Sequence, residues 1–175
     1  MVDPIQLQIL KALTAHLQGI TPANGYDFDL STAVFRGRLV YGPSDPLPMV
    51  SIVESSTPAK GHVAGHHSIE QHDSWLLLVQ GFVQDDLTNP TDPAYYLKAA
   101  VHERLSQIIA MNSKPGRPDA PAYPDIYLLG GLITDMEINA GVVRPPEQGV
   151  SSKAYFYLPL QVMYAFNASR PTSAG

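Results

Sequence analysis

The sequence contains no cysteine. This absence excludes disulfide bonds, thiolate metal sites and a cysteine nucleophile, and it favours a reducing compartment. The first residues, MVDPI, lack the basic start and the apolar run of a signal peptide. No apolar stretch approaches the roughly 18 residues that a membrane-spanning helix needs. We therefore expect a protein that is made in the cytoplasm and has no membrane partner.

Basic residues are few as well. The chain has 11 lysines and arginines against 16 aspartates and glutamates, which gives a formal net charge of −5. Proteins that grip nucleic acid through its phosphates show basic patches, whereas here the basic residues are scattered and the closest pair is Arg36 and Arg38. Specific nucleic-acid binding is therefore not expected. An acidic lining that repels DNA would nevertheless suit a passive conduit.

The common catalytic and phosphate-binding motifs are missing too. There is no Gly-x-Ser-x-Gly elbow and no glycine-rich phosphate loop. His102 and Glu103 begin the His-Glu-x-x-His pattern of a metalloprotease, but Ser106 occupies the position of the second histidine. Because one imidazole cannot hold the catalytic zinc, we expect neither an enzyme nor a cofactor.

One segment, 55–73, is rich in histidine. Imidazole is a good ligand for zinc or nickel, and the candidate metal ligands in this segment are His62, His66, His67 and His72. Nearby glycines and a proline oppose the helix that would place His62 and His66 on one face. We therefore predict a long polar surface loop. A metal-dependent enzyme built on these histidines is kept as an alternative.

Hydrophobic periodicity predicts two amphipathic helices, at 4–18 and 93–111, each preceded by an aspartate and begun by a proline. Runs of branched and aromatic residues predict strands at 32–40, 49–54, 75–83, 126–139 and 152–167. The last run would extend about 50 Å at ~3.3 Å per residue. Pro159 within it requires an edge position or a bulge, because proline has no N–H to donate.

This order of elements predicts an α+β fold, with a mainly antiparallel or mixed sheet of about four to five strands and two amphipathic helices on one face. We expect a single domain over 1–167 and a flexible C-terminal tail over 168–175. Strand 75–83 is apolar on both faces, which is typical of a strand covered on both sides. Two helices cover only one face, so a neighbouring subunit is the simplest second cover. The overlong last strand could likewise reach a neighbour's sheet edge.

An acidic tip ends the apolar strand, at Asp85 and Asp86, shortly before Asp92 at the second helix. Clustered carboxylates could bind magnesium or calcium, but a strand end and a helix cap explain them more simply. We expect the tip to lie at an assembly rim or lumen. The candidate interface residues are Asp85, Asp86, Trp75, Tyr155, Tyr157 and Tyr164.

Several stretches occur in a recognisable succession. They are NGY at 24–26, FRGR at 35–38, LPMVSIVE at 47–54, the strand at 75–82, and NPTD at 89–92 leading into the helix at 94–109. This succession resembles tail terminator (tail completion) proteins of tailed bacteriophages, and the resemblance covers most of residues 4–166.

The resemblance implies an α+β subunit of a ring, commonly a hexamer, that caps the head-proximal end of the tail tube. The implied partners are copies of the chain, the tail tube protein and a head-completion or neck protein. DNA would pass through the lumen without specific binding. The protein would then be a virion component at the head–tail junction, with no catalytic residues. The alternatives are another neck component, such as a connector subunit, and a small ligand-binding module.

Overall fold

The computed structural model describes residues 2–39, 41–56, 60–63, 69–147 and 152–174. The helices are α1 (Ile5–Gln18), α2 (Asp92–Ser106) and α3 (Leu128–Gly131), which is a single turn. A short 3-10 turn spans Pro22–Asn24. The strands are β1 (Val34–Arg36), β2 (Met49–Glu54), β3 (Lys60–Val63), β4 (Glu70–Val83), β5 (Met111–Asn112), β6 (Ala120–Pro121), β7 (Asp135–Ile138), β8 (Val142–Arg144), β9 (Ala154–Asn167) and β10 (Arg170–Ala174).

One large mixed sheet organises the chain in the order β1-β2-β4-β9-β10. β1 pairs with β2 in parallel, and the other pairings in this sheet are antiparallel. β4 and β9 pair along their full length, from Glu70 opposite Asn167 to Val83 opposite Ala154. The predicted α+β class is confirmed. The sheet has eight strands within the described residues, more than expected, because β3 joins β4 while β7 and β8 both join β9.

The main core lies between this sheet and the two long helices. The buried positions of α1 recur at helical spacing, and so do those of α2. Both sets pack against the same face of the sheet, which carries Leu77, Val79, Phe156 and Leu158 among its buried side chains. The prediction of two amphipathic helices on one face is confirmed.

The helix starts differ from those predicted. α1 begins after Pro4, and Asp3 does not cap it; its carboxylate pairs instead with Lys11, at 2.5 Å. In α2, Thr91 occupies the cap position and Asp92 is the first helical residue. That helix ends at Ser106 rather than at 111, and a turn follows it.

The strand predicted at 126–139 is only partly correct, since β7 covers its last residues alone. Upstream, Leu128 and Leu129 have φ angles of 49° and 54°, and Gly130 and Gly131 have 71° and 87°. This left-handed backbone forms a turn and cannot continue a strand. The strand predicted at 32–40 also shrinks, to β1, because Gly37 follows with a φ of 62°.

The long loop predicted at 55–73 is wrong where the structure describes it. β3 and the start of β4 form an antiparallel hairpin in which His62 is opposite His72. Residues 57–59 and 64–68 lie outside the described residues. The tail predicted to be flexible instead carries β10, which pairs with β9. Its Thr172 carbonyl accepts a hydrogen bond from the Gln8 side chain of α1, at 2.9 Å.

Pro159 fits within β9 without a bulge. It stands opposite Leu78 in an unbroken register with β4. Its carbonyl accepts a hydrogen bond from the Asn139 amide, at 2.9 Å, so that side of Pro159 faces the interval between β7 and β8. The N–H and C=O of a strand residue point to the same side. The missing N–H of Pro159 therefore also faces the interval between β7 and β8, where no described strand is paired with β9.

Candidate assembly surface

The two faces of β4 have different environments. Trp75, Leu77 and Val79 are buried beneath the helices, whereas Leu76 is 43% exposed and Leu78 is only half-buried. Alternate residues of a strand point to opposite faces of the sheet. The chain's own helices thus cover one apolar face of this central strand and leave the other to different elements.

One end of this second face is closed by the connector before β2. The ring of Tyr41 lies 4.4 Å from that of Phe82, which in turn stacks on Tyr155 at 5.8 Å. The Tyr41 hydroxyl and the Ser51 hydroxyl both donate to the Arg38 carbonyl, at 2.8 and 3.0 Å. These contacts hold the connector over the sheet, so this end of the face belongs to the chain's own interior.

The remainder of the second face is an apolar strip, here called the open face. The register places Leu78 between Val53 on β2 and Pro159 on β9, and it places Leu76 and Ser74 opposite Gln161 and Met163. The apolar members of the strip are Val53, Leu76, Leu78, Pro159 and Met163, each of them half-buried or exposed.

An acidic rim runs along one side of the open face. Glu137 and Asp135 of β7 stand opposite Gln161 and Met163, and both carboxylates are exposed. Gln161 is itself held in place, because its side-chain amide donates to the Ser74 hydroxyl at 2.7 Å. An apolar centre with a polar rim is the usual anatomy of a protein–protein interface.

Three aromatic residues predicted at an interface lie in the core instead. Trp75, Tyr155 and Tyr164 are 4%, 2% and 2% exposed. The Tyr164 hydroxyl donates to the Asp73 carboxylate at 3.1 Å and accepts from Gln6 at 2.8 Å, and burial beside Asp73 raises the pKa of Tyr164. As folded, these three rings offer little surface to a partner. They stabilise the subunit itself.

Tyr157 differs from those three rings. Its side chain is half-buried at the margin of the second face, with its ring 5.2 Å from that of Tyr155. It stands opposite Gln80 of β4 and Val142 of β8, and Val142 is exposed. Of the predicted aromatic interface residues, Tyr157 is the one placed next to the open face.

The acidic tip at the end of β4 has a clear local role. One carboxylate oxygen of Asp86 accepts the amide N–H groups of Thr88 and Asn89, at 2.8 and 2.7 Å, and these bonds lower the pKa of Asp86. Asp85 accepts from the Gln84 side chain at 2.5 Å. Asp86 therefore forms the turn that leads the chain from β4 towards α2, while its carboxylate stays at the surface.

The candidate metal ligands do not form a site in the described part of the chain. The backbones of His62 and His72 are paired across β3 and β4, and the His72 side chain is exposed. His66 and His67 lie outside the described residues. Among the residues that the structure describes, no group of three potential metal-ligating side chains converges.

The contact between His16 and Arg104 was not predicted from the sequence. His16 is buried in α1 and lies beside Arg104 of α2, next to an open groove of about 350 Å³ lined also by Asp125 and Leu129. Burial lowers the pKa of His16 to about 4. Its position one residue before Leu17, on the apolar stripe of α1, could have indicated a buried imidazole.

The described helices include none with an apolar stretch long enough to cross a membrane. No protein-family model matches this chain, and no curated protein matches it either.

Proposed function

We propose that this chain is a structural subunit that assembles with copies of itself, and that the assembly is the tail terminator ring of a tailed bacteriophage. The observation that carries self-assembly is the open face, which lies on the two central strands of the sheet. A solvated face of an antiparallel sheet normally carries polar residues. Here the row across β2, β4 and β9 is Val53, Leu78 and Pro159.

Covering this strip would be favourable. Burying a leucine side chain fully contributes roughly 1.5–3 kcal/mol, and Leu76 still exposes 43% of its surface. Contiguous exposed apolar surface on a protein marks an interaction site more often than chance. A second copy of the chain is a partner that is always present. The acidic rim would repel the same rim on another subunit, so it restricts how closely two identical faces can approach.

The step from assembly to a terminator ring rests on the resemblance of residues 24–26, 35–38, 47–54 and 89–92. In this proposal the ring caps the tail tube and offers its other side to a neck protein at the head–tail junction. The net charge of −5 suits a lumen that lets DNA pass without gripping it. Asp86, exposed at the end of β4, is a candidate for that lumen or its rim.

The size and shape of the purified protein test self-assembly. Negative-stain electron microscopy should show annular particles, and light scattering should give a mass of several subunits. Leu76→Asp should reduce that mass to one subunit, because it places a charge within the apolar strip that assembly would bury. Leu87→Asp is the matched control, since Leu87 is 100% exposed on a loop. A wild-type protein that stays monomeric at high concentration, with or without magnesium, would overturn the proposal.

A separate experiment tests the terminator assignment. Rings mixed with polymerising tail tube protein should bind one end of each tube and arrest its growth, which length distributions on micrographs would measure. Rings that ignore tubes and bind capsid portals instead would identify a connector or head-closure subunit.

A further inference from the structure

A second exposed apolar patch lies on α2. Tyr95 and Tyr96 expose 53% and 68% of their surface, while the inward positions Ala94 and Leu97 beside them are buried. The ammonium of Lys98 lies 5.2 Å from the ring centre of Tyr95. Tyrosine is enriched at protein interfaces because its ring is apolar and its hydroxyl can still form hydrogen bonds. This pair, Tyr95 and Tyr96, is here called the tyrosine face.

The tyrosine face and the open face lie on opposite sides of the subunit. α2 packs its buried residues against one face of the sheet, so its exposed tyrosines point away from that sheet. Leu76 and Leu78 point away from the helices, on the other side of the same sheet. The subunit therefore carries one apolar patch on its helix side and a different one on its sheet side.

This placement selects between two kinds of assembly. A two-fold dimer brings one patch against the same patch of its partner, whereas a ring joins two different patches head to tail. We infer that the tyrosine face of one subunit covers the open face of the next. The inference rests on the proposed self-assembly, and it names both sides of the contact.

The chemistry of the two patches is complementary. The open face offers aliphatic side chains, the amide of Gln161 and the acidic rim of Asp135 and Glu137. The tyrosine face offers two aromatic rings, two hydroxyl groups and the cation of Lys98. Rings pack on the aliphatic strip, hydroxyls reach the amide, and the ammonium meets the carboxylates. Two copies of the open face would instead bring their acidic rims towards each other.

The absence of cysteine allows a direct crosslinking experiment. Leu76→Cys is co-expressed with a longer, tagged Tyr96→Cys chain, and the assemblies are treated with a short bismaleimide. A crosslinked pair made of one chain of each length is the expected product, at least tenfold above the yield from a Leu87→Cys chain with the same partner. Crosslinking of Leu76→Cys to itself would indicate a two-fold contact and overturn the inference, as would a yield equal to the control.

Charge variants test the same contact without crosslinking. Leu76→Asp keeps an intact tyrosine face and Tyr96→Asp keeps an intact open face, so each should be monomeric alone, the latter because its carboxylate would meet the acidic rim. An equal mixture should form dimers, because one good contact remains, but no closed rings. If Tyr96→Asp assembles like the wild type, this inference fails while the proposed self-assembly stands. If the wild type itself is monomeric, the proposed function fails first.

Discussion

The Nε2 atom of His16 lies 2.5 Å from the carbonyl oxygen of Arg104, and the Arg104 Nε donates to the carbonyl of His16 at 2.9 Å. This reciprocal pair joins the last turn of α1 to the last turn of α2. A carbonyl only accepts hydrogen bonds, so the His16 Nε2 carries the proton and the neutral imidazole has the Nε2–H form. The His16 carbonyl, at the end of α1, also accepts the Gly19 amide at 3.1 Å, so Arg104 adds a second hydrogen bond to it.

This arrangement predicts that the free energy of unfolding depends on pH. Burial lowers the pKa of His16 from 6.5 to about 4, so the unfolded chain binds a proton more readily than the folded one. The free energy of unfolding should therefore fall as the pH drops from 6.5 to 4, by about 3 kcal/mol from this group. Urea unfolding at a series of pH values would measure the fall.

Two variants isolate the contribution of His16. His16→Gln should lower stability at pH 7 but remove this part of the pH dependence, because glutamine does not titrate. His102→Gln is the matched control, since His102 is exposed on α2, and it should keep the wild-type profile. Equal pH profiles for the wild type and His16→Gln would contradict the assignment.

The left-handed turn before β7 predicts a requirement for glycine. Gly130 has a φ of 71° and nothing lies within 4 Å of a Cβ placed there, so the cost of a side chain is purely one of backbone conformation. Gly130→Ala should lower the free energy of unfolding by about 1–2 kcal/mol. Gly42→Ala is the control, because its φ is not left-handed and its new Cβ would make an ordinary contact at 3.9 Å. Thermal unfolding of both variants would show whether only Gly130→Ala loses stability.

The contact between Gly81 and Phe156 predicts a steric requirement of a different kind. A Cβ on Gly81 would lie 2.1 Å from the Cε1 atom of Phe156 and 2.5 Å from its Cζ atom. Gly81→Ala should therefore destabilise the protein by about 1–3 kcal/mol or more, since the core has no room for the displaced ring. Denaturant unfolding at neutral pH would measure this loss.

A double variant tests the cause. Phe156→Leu alone should also destabilise the core, because it removes buried apolar surface. Combined with Gly81→Ala it should cost less than the sum of the two single changes, since the smaller side chain leaves space for the methyl group. Strictly additive losses would mean that the ring and the glycine do not act on each other.

The elements with a clear hydrophobic period could be predicted from the sequence. The stripe of α1 and the run of β2 at Met49–Glu54 were predicted with nearly correct bounds. The hairpin of β3 and β4 could not be predicted in this way, because its polar residues show no apolar alternation. The two strands pair through their backbones, and backbone pairing leaves no pattern in the sequence. The turn at Leu128–Gly131 was missed because apolar residues beside two glycines suit a bent strand equally well.

The candidate surface could be predicted only in outline. The apolar pattern of β4 indicates that both of its faces need a cover, but it does not say which aromatic residues the chain covers by itself. Tyr155 and Tyr164 have opposite parity in β9, and both are buried. Tyr164 lies under α1, whereas Tyr155 lies against Phe82, which in turn contacts Tyr41. Such long-range contacts leave no local signal in the sequence.

The adjacent residues Leu77 and Leu78 provide the sharpest test of the two faces. Leu77 is 2% exposed in the core beneath the helices, while Leu78 lies on the open face. Leu77→Asp should unfold the subunit, because an unpaired carboxylate cannot be solvated there. Leu78→Asp should leave the circular dichroism spectrum and the monomer fold intact and abolish assembly. Light scattering and thermal unfolding of both variants separate these outcomes. A Leu78→Asp protein that unfolds like Leu77→Asp would mean that the chain already covers this face by itself.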